Sequence, residues 1–132
     1  SFYVLLKMLK EKSERKEVIL PAYTAGSLVV GVLKAGLKPV LCDICLEDFN
    51  LDRNSLLKTI SKDTLAVVCV HAFGIGMSDV EQLRKKIPAD IFMIEDCAQA
   101  MGSFGVSEAS ATMTAGCSPS ARSAGSSPGA RA

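Results

Sequence analysis

The stretch Ile91-Phe-Met-Ile-Glu-Asp-Cys-Ala-Gln-Ala-Met-Gly102 holds the residue types best placed to do chemistry. Four mostly apolar residues end in two carboxylates, and small residues and an amide follow. A buried parallel strand reads as a short apolar run. In open α/β sheets, ligand chemistry collects just beyond the carboxyl ends of the strands. Asp96 therefore stands where a fixed negative charge could meet a bound cofactor. The other reading is that Glu95 and Asp96 cap the next helix. The strand pattern alone allows both.

Cysteine is the next reactive type. Five cysteines are an odd number, and Cys42, Cys45, Cys69 and Cys97 lie inside or beside apolar runs. Reduced, buried thiols of a cytosolic protein are expected. Cys42-Asp-Ile-Cys45 has the C-x-x-C spacing, but neither a second ligand pair nor a helix start after the first Cys accompanies it. No metal site is expected from it.

The elements that must position these groups alternate along the chain. Phe2, Leu5, Leu6 and Leu9 recur at helical spacing, giving a helix over 2–12. Glu17 to Leu20 is a short strand stopped by Pro21. Ser27 to Ala35 is a helix ending before Gly36. Lys38 to Asp43 is a second strand. Asp52 caps a helix running to Ile60, with Leu56 and Leu57 facing inward. Thr64 to Val70, rich in β-branched residues, is a third strand. His71 to Gly76 is a loop, and Ser78-Asp-Val-Glu81 is a capping box opening a helix to about Ile87. The strand ending at Glu95 follows. This order predicts a three-layer α/β fold with a mainly parallel sheet.

Composition sets the outer limits. The 132 residues suffice for one modest domain, and 48% hydrophobic with 22% charged content is globular. A net charge of +1, from 15 basic and 14 acidic residues, gives no electrostatic footprint for nucleic acid or an anionic membrane. Apolar runs such as Leu28 to Leu33 are too short to span a bilayer, and no signal-peptide pattern is present. Residue 1 is Ser, which reads as a piece of something longer. From Ser107 to Ala132 the only large apolar side chain is Met113, so disorder is expected over 106–132.

Six landmarks then carry a resemblance: Glu17-Val-Ile-Leu-Pro-Ala-Tyr-Thr24, Ala35-Gly-Leu-Lys-Pro-Val40, Asp43, Phe49-Asn-Leu-Asp52, Val70-His-Ala-Phe-Gly74 and Ile94-Glu-Asp-Cys-Ala-Gln-Ala100. In this order, from about Phe2 to Gly105, the chain resembles the DegT/DnrJ/StrS sugar aminotransferases. The resemblance implies pyridoxal phosphate as cofactor and the type I pyridoxal phosphate-dependent transferase fold. Residues 1–105 would be part of its cofactor-binding large domain. It further implies an amino transfer, typically from glutamate, to a keto sugar nucleotide, by a cytoplasmic homodimer.

The resemblance also assigns roles. Asp96 matches the aspartate that bonds the pyridine nitrogen, where a carboxylate favours the protonated, electron-withdrawing ring. Gln99 matches an amide near the cofactor's phenolic oxygen; the other reading is a solvent-facing residue. Thr24 and Ala25 align with a turn where many relatives place a ring that stacks on the cofactor. With Ala25 there, stacking falls to Tyr23 or is missing. His71 matches a recurrent histidine and reads as one satisfied by the strand-end turn. Ser1 and Phe2 follow the place of a phosphate-binding turn, which is expected to be lacking.

The largest departure concerns lysine. The family's Schiff-base lysine lies downstream of the matching Gln, and here every lysine lies at or before Lys86. No catalytic lysine is therefore assigned, and the chain alone is expected to be inactive. Back-translated and shifted by one nucleotide, Ala111 to Arg122 permits Gly-Asp-Tyr-Asp-Cys-Gly-Val-Phe-Ser-Leu-Gly-Arg, which resembles the segment leading into the lysine loop. The tail is read as frameshifted, which the coding nucleotides test. The competing readings are a non-catalytic α/β binding or interaction module, including a receiver-like one, and a dinucleotide module. The last would need G-x-G-x-x-G, and Pro21 to Gly26 does not supply it.

Overall fold

The computed structural model describes residues 1–77 and 80–100. Ser78 and Asp79 of the expected capping box, and the whole segment 106–132, lie outside the described residues. Along the chain come α1 (Phe2–Glu11), β1 (Glu17–Pro21), α2 (Gly26–Lys34), β2 (Lys38–Cys42), α3 (Arg53–Thr59), β3 (Thr64–Val70), α4 (Val80–Lys86) and β4 (Phe92–Asp96). The four strands form one sheet in the order β2-β1-β3-β4, and every pairing is parallel.

Strand alternation explains the layers. Successive side chains point to opposite faces. Val18, Leu20, Ala66, Val68 and Ile94 pack with Leu6 and Leu9 of α1 and Leu28 and Val32 of α2. Ile19, Val67, Cys69 and Met93 pack on the other side with Leu56 of α3 and Leu83 of α4. Helices on both faces of a parallel sheet make the three layers that the alternation predicts. The central strand β3 is buried on both faces over Thr64–Cys69, which is why it reads as an unbroken apolar run.

Helix ends follow local chemistry. Asp52 accepts the Ser55 N–H at 2.7 Å and opens α3 as an N-cap. Gly36 closes the turn after α2 at φ +70°. Lys10 reaches from α1 to the carbonyls of Ala35 and Gly36 at 3.2 and 3.0 Å, holding the two helices together where α2 ends.

Several expectations need correction. Pro21 does not stop β1 but is its last residue, in register with Cys42; a strand end needs no further N–H from it. Leu57 is 41% exposed, and only Leu56 of that pair faces the core, because neighbours on a helix sit about 100° apart. β4 runs one residue past Glu95, so Asp96 pairs with Val70. Cys45 is only partly buried, with its thiol bonded to Glu47. The 71–76 loop contains a 3₁₀ turn, Ala72–Gly74. Among the described residues no helix is long and apolar enough to cross a membrane.

Candidate functional site

Three adjacent parallel strands end on the same side of the sheet. β1 delivers Tyr23, Thr24 and Ala25; β3 delivers His71, Ala72 and Phe73; β4 delivers Asp96, Ala98 and Gln99. These residues line one cleft of about 420 Å³, within the usual range of small-molecule sites. The four residues singled out in the sequence, Asp96, Gln99, Thr24 and Ala25, thus come together from two separate segments, the ends of β1 and β4. Cys42 and Cys45 are not among them.

Asp96 is held by its own backbone and its neighbours. Its carbonyl accepts the His71 N–H at 3.0 Å, and its Oδ1 accepts the Ala98 N–H at 3.0 Å. Oδ2 has no partner among the described residues. Asp96 thus orders the turn after β4 through Oδ1. Arg84 anchors the entrance to β4 through the carbonyls of Ile91 and Ala89, at 2.7 and 3.1 Å.

Gln99 is exposed, and its Oε1 accepts the backbone N–H of Phe73 at 3.1 Å. The amide is thereby oriented with its Nε2 donors available to a ligand. On the facing segment, the hydroxyl of Thr24 is buried and has no hydrogen-bond partner. A buried polar atom left unmatched in a cleft wall is expected to be satisfied by what the cleft binds.

His71 is the one buried histidine, 1% exposed. Its Nδ1 accepts the Met77 N–H at 2.9 Å, and its Nε2 lies 3.1 Å from Glu95 Oε2. A backbone N–H can only donate, so the neutral ring carries its hydrogen on Nε2 and donates to Glu95. This is a histidine satisfied at the strand end, as the sequence suggested. His71, Glu95 and Cys97 offer ligand atoms within 4.8 Å of one another. A metal on Nε2 would require the hydrogen on Nδ1, against the Met77 N–H, so the group is built as a hydrogen-bond network.

Sequence reasoning missed two features. Phe73 is a site-lining residue in the left-handed region, at φ +55°. Its ring also meets Tyr23 and Phe49, with centroids 6.2 and 5.5 Å away. The signal available was Phe-Gly after a strand, which marks a tight turn without saying which ring it exposes.

Comparison with known proteins gives the family. The model of the DegT/DnrJ/EryC1/StrS aminotransferase family matches residues 2–115. GDP-perosamine synthase of Escherichia coli O157:H7 is 33% identical over 93 residues, covering 69% of this chain and 25% of that protein. The dTDP-3-amino-3,4,6-trideoxy-alpha-D-glucose transaminase of Micromonospora megalomicea subsp. nigra is 31% identical over 88 residues, covering 65% and 23%. Among solved structures, the sugar aminotransferase CalS13 from Micromonospora echinospora superposes with a TM-score of 0.70 at 27% identity, over 76% of this chain and 29% of that one. GDP-4-keto-6-deoxymannose-3-dehydratase, solved with a trapped PLP-glutamate geminal diamine, gives 0.65 at 25% identity, over 77% and 29%. The chain spans about a quarter of the length of the curated relatives it matches. It belongs to the DegT/DnrJ/EryC1/StrS aminotransferase family, whose cofactor is pyridoxal phosphate.

Proposed function

We propose that residues 1–105 form part of the cofactor-binding large domain of a sugar nucleotide aminotransferase, and that this chain alone does not transaminate. The observation that carries the reading is the gathering of Asp96, Gln99, Thr24 and Ala25 in one cleft at the strand ends. The donor set suits the pyridine ring of the cofactor: a carboxylate oxygen at Asp96 matches its ring nitrogen, and the amide donors of Gln99 or the unmatched hydroxyl of Thr24 match its one ring oxygen.

When bound, the cofactor supplies an electron-withdrawing pyridine ring. Asp96 would hold a proton on the ring nitrogen by setting a carboxylate against it. Gln99, whose Oε1 is held by the Phe73 N–H, would offer its Nε2 donors to the ring oxygen, and Thr24 would offer its hydroxyl. None of these groups moves a proton on the substrate carbon. That task needs a lysine amine, and residues 87–132 contain none. The same reading takes 106–132 as a frameshifted tail, for which the coding nucleotides are the test.

With pyridoxal phosphate, glutamate and a GDP-linked keto sugar, the 132-residue chain is expected to produce no 2-oxoglutarate. Titrated with pyridoxamine phosphate, the labelled chain is expected to show weak binding centred on Asp96 and Gln99 resonances. Asp96→Asn should weaken that binding about tenfold, the scale of one lost charge-assisted hydrogen bond. Glutamate-dependent turnover would overturn the inactive reading. Binding indifferent to Asp96→Asn would overturn the assignment of Asp96.

A further inference from the structure

We propose that His71 is an acid-operated latch on the turn of residues 72–77, part of which lines the cleft. The proposal does not depend on what the cleft binds. His71 directly follows β3 and is 1% exposed. Its two ring nitrogens have different tasks. Nδ1 accepts the Met77 N–H at 2.9 Å, at the far end of the turn. Nε2 lies 3.1 Å from Glu95 Oε2 on β4. Only a neutral ring with its hydrogen on Nε2 meets both tasks.

The turn is held at both ends by side chains from outside it. Gln99 accepts the Phe73 N–H at 3.1 Å, and His71 accepts the Met77 N–H. Between them, Phe73 and Gly74 take φ +55° and +78° in succession, a conformation that a bulky residue adopts only against a steric cost. Releasing one end lets that conformation relax.

A proton on Nδ1 releases it. The lone pair that accepted the Met77 N–H becomes a new N–H bond, and two donors would then face each other. The proton comes from solvent, and so buried a ring admits it only as the turn lifts. Opening and protonation are therefore one step. The imidazolium keeps its Nε2–H on Glu95, and that contact becomes an ion pair. Acid thus favours the open turn.

The neighbouring groups keep this sign. Residues 72–77 carry no titratable side chain. The Cys97 Sγ lies within 4.8 Å of the ring and carboxylate atoms, and Cys69 of β3 is close enough to Glu95 to feel its charge; thiols are neutral below pH 7. Asp96 lines the same cleft as His71, and its charge also favours an imidazolium. From α3 and α4, Leu56 and Leu83 share the core with Met77. Lys86 of α4 borders a second pocket with Met77, which the ring does not line.

Native-state hydrogen exchange on the 132-residue chain, corrected for the intrinsic rate at each pH, is the test. An exposed imidazole takes its proton near pH ~6.5, so opening linked to it should rise about twentyfold from pH 7 to pH 5. The Met77 and Phe73 amides should show that rise, and both should exchange faster than the Val67 amide of β3 throughout. His71→Asn keeps an acceptor for the Met77 N–H but takes no proton, and its Met77 amide should change less than about twofold. Glu95→Gln removes the charge that pairs the imidazolium, and should move the rise about one pH unit lower. If His71→Asn fails to fold, that shift carries the test. Exchange that ignores pH, or an acid response kept in His71→Asn, would overturn the proposal. So would an imidazole that titrates while Met77 stays protected, a question the single histidine lets NMR answer directly. Exchange at the Val67 rate would mean that the whole domain opens, and an unchanged Phe73 amide would confine the event to Met77; either overturns the latch.

Discussion

His71 Nε2 stands 3.1 Å from Glu95 Oε2, across the paired ends of β3 and β4. The other ring nitrogen accepts the Met77 N–H, so a single buried side chain ties the end of β3 to the Glu95 side chain of β4 and to the backbone at Met77. Replacing it by Phe keeps the volume but leaves the buried Met77 N–H without a partner. The expected loss is about 1–3 kcal/mol. His71→Asn should recover part of it, because its side-chain oxygen can accept the N–H. Urea unfolding of the two variants is the check, and equal stability would refute the network. Nitrogen-15 spectra should show the Nε2–H tautomer, and added zinc should not raise the melting temperature.

Gln99 supplies a second tie, to the Phe73 N–H at 3.1 Å. Gln99→Glu keeps the acceptor and removes the donors. It should preserve stability within about 0.5 kcal/mol, as exposed substitutions do, while weakening pyridoxamine phosphate binding. Gln99→Leu should lose both functions and speed hydrogen exchange at the Phe73 amide. If the two variants exchange alike at that amide, the tie is not formed in solution.

The strand–helix alternation was legible because apolar period is a local signal. The run Thr64–Val70, for example, read as a strand from its β-branched residues, and it is buried over Thr64–Cys69. Asp96 and Thr24 were singled out through the landmarks around them. Their meeting in one cleft was not legible, since it depends on β1 lying beside β3 and β3 beside β4. Leu57 was misplaced because an apolar type does not say which side of a helix the core occupies. Phe73 escaped notice because a positive φ leaves no mark on the residue type when Gly follows it.

Gly36 gives a direct test of the α2 terminus. Its φ is +70°, and a Cβ there would stand 2.8 Å from Lys10 Nζ. The lysine end is flexible and can retreat, but doing so releases the carbonyls of Ala35 and Gly36. The backbone conformation itself is the larger obstacle. Gly36→Ala should therefore destabilise by about 1 kcal/mol, read as a lower urea midpoint with unchanged slope. Gly26→Ala is the contrast, because nothing lies within 4 Å of its added methyl and its φ is not positive. A loss equal at both positions would remove the argument.

The buried thiols set an alkaline limit. Burial pushes Cys69 up to about 12, with Glu95 adding to the effect. Burial likewise pushes Cys42 up to about 11, against a hydrogen bond with Thr59 that lowers it. In both, the folded state favours the neutral thiol relative to the unfolded chain, whose thiols titrate near 9.0. This stabilisation is fully present below that value. It is lost as pH rises from there through the folded values, because the unfolded chain then releases protons the folded one retains. The urea midpoint should accordingly be insensitive to these groups between neutrality and pH 8, and fall above pH 9. Cys69→Ala should lower stability at neutral pH through lost packing, yet flatten the alkaline fall. Thiol labelling gives the complementary reading. In a Cys117→Ser background at neutral pH, Cys45 should react first, being the least buried of the other four. Even so it should react slowly, since its hydrogen bond to Glu47 raises its pKa. Cys42 and Cys69 should react only as the chain opens. Fast labelling of Cys69 in the folded chain would show that β3 is not the closed central strand on which the whole cleft is built.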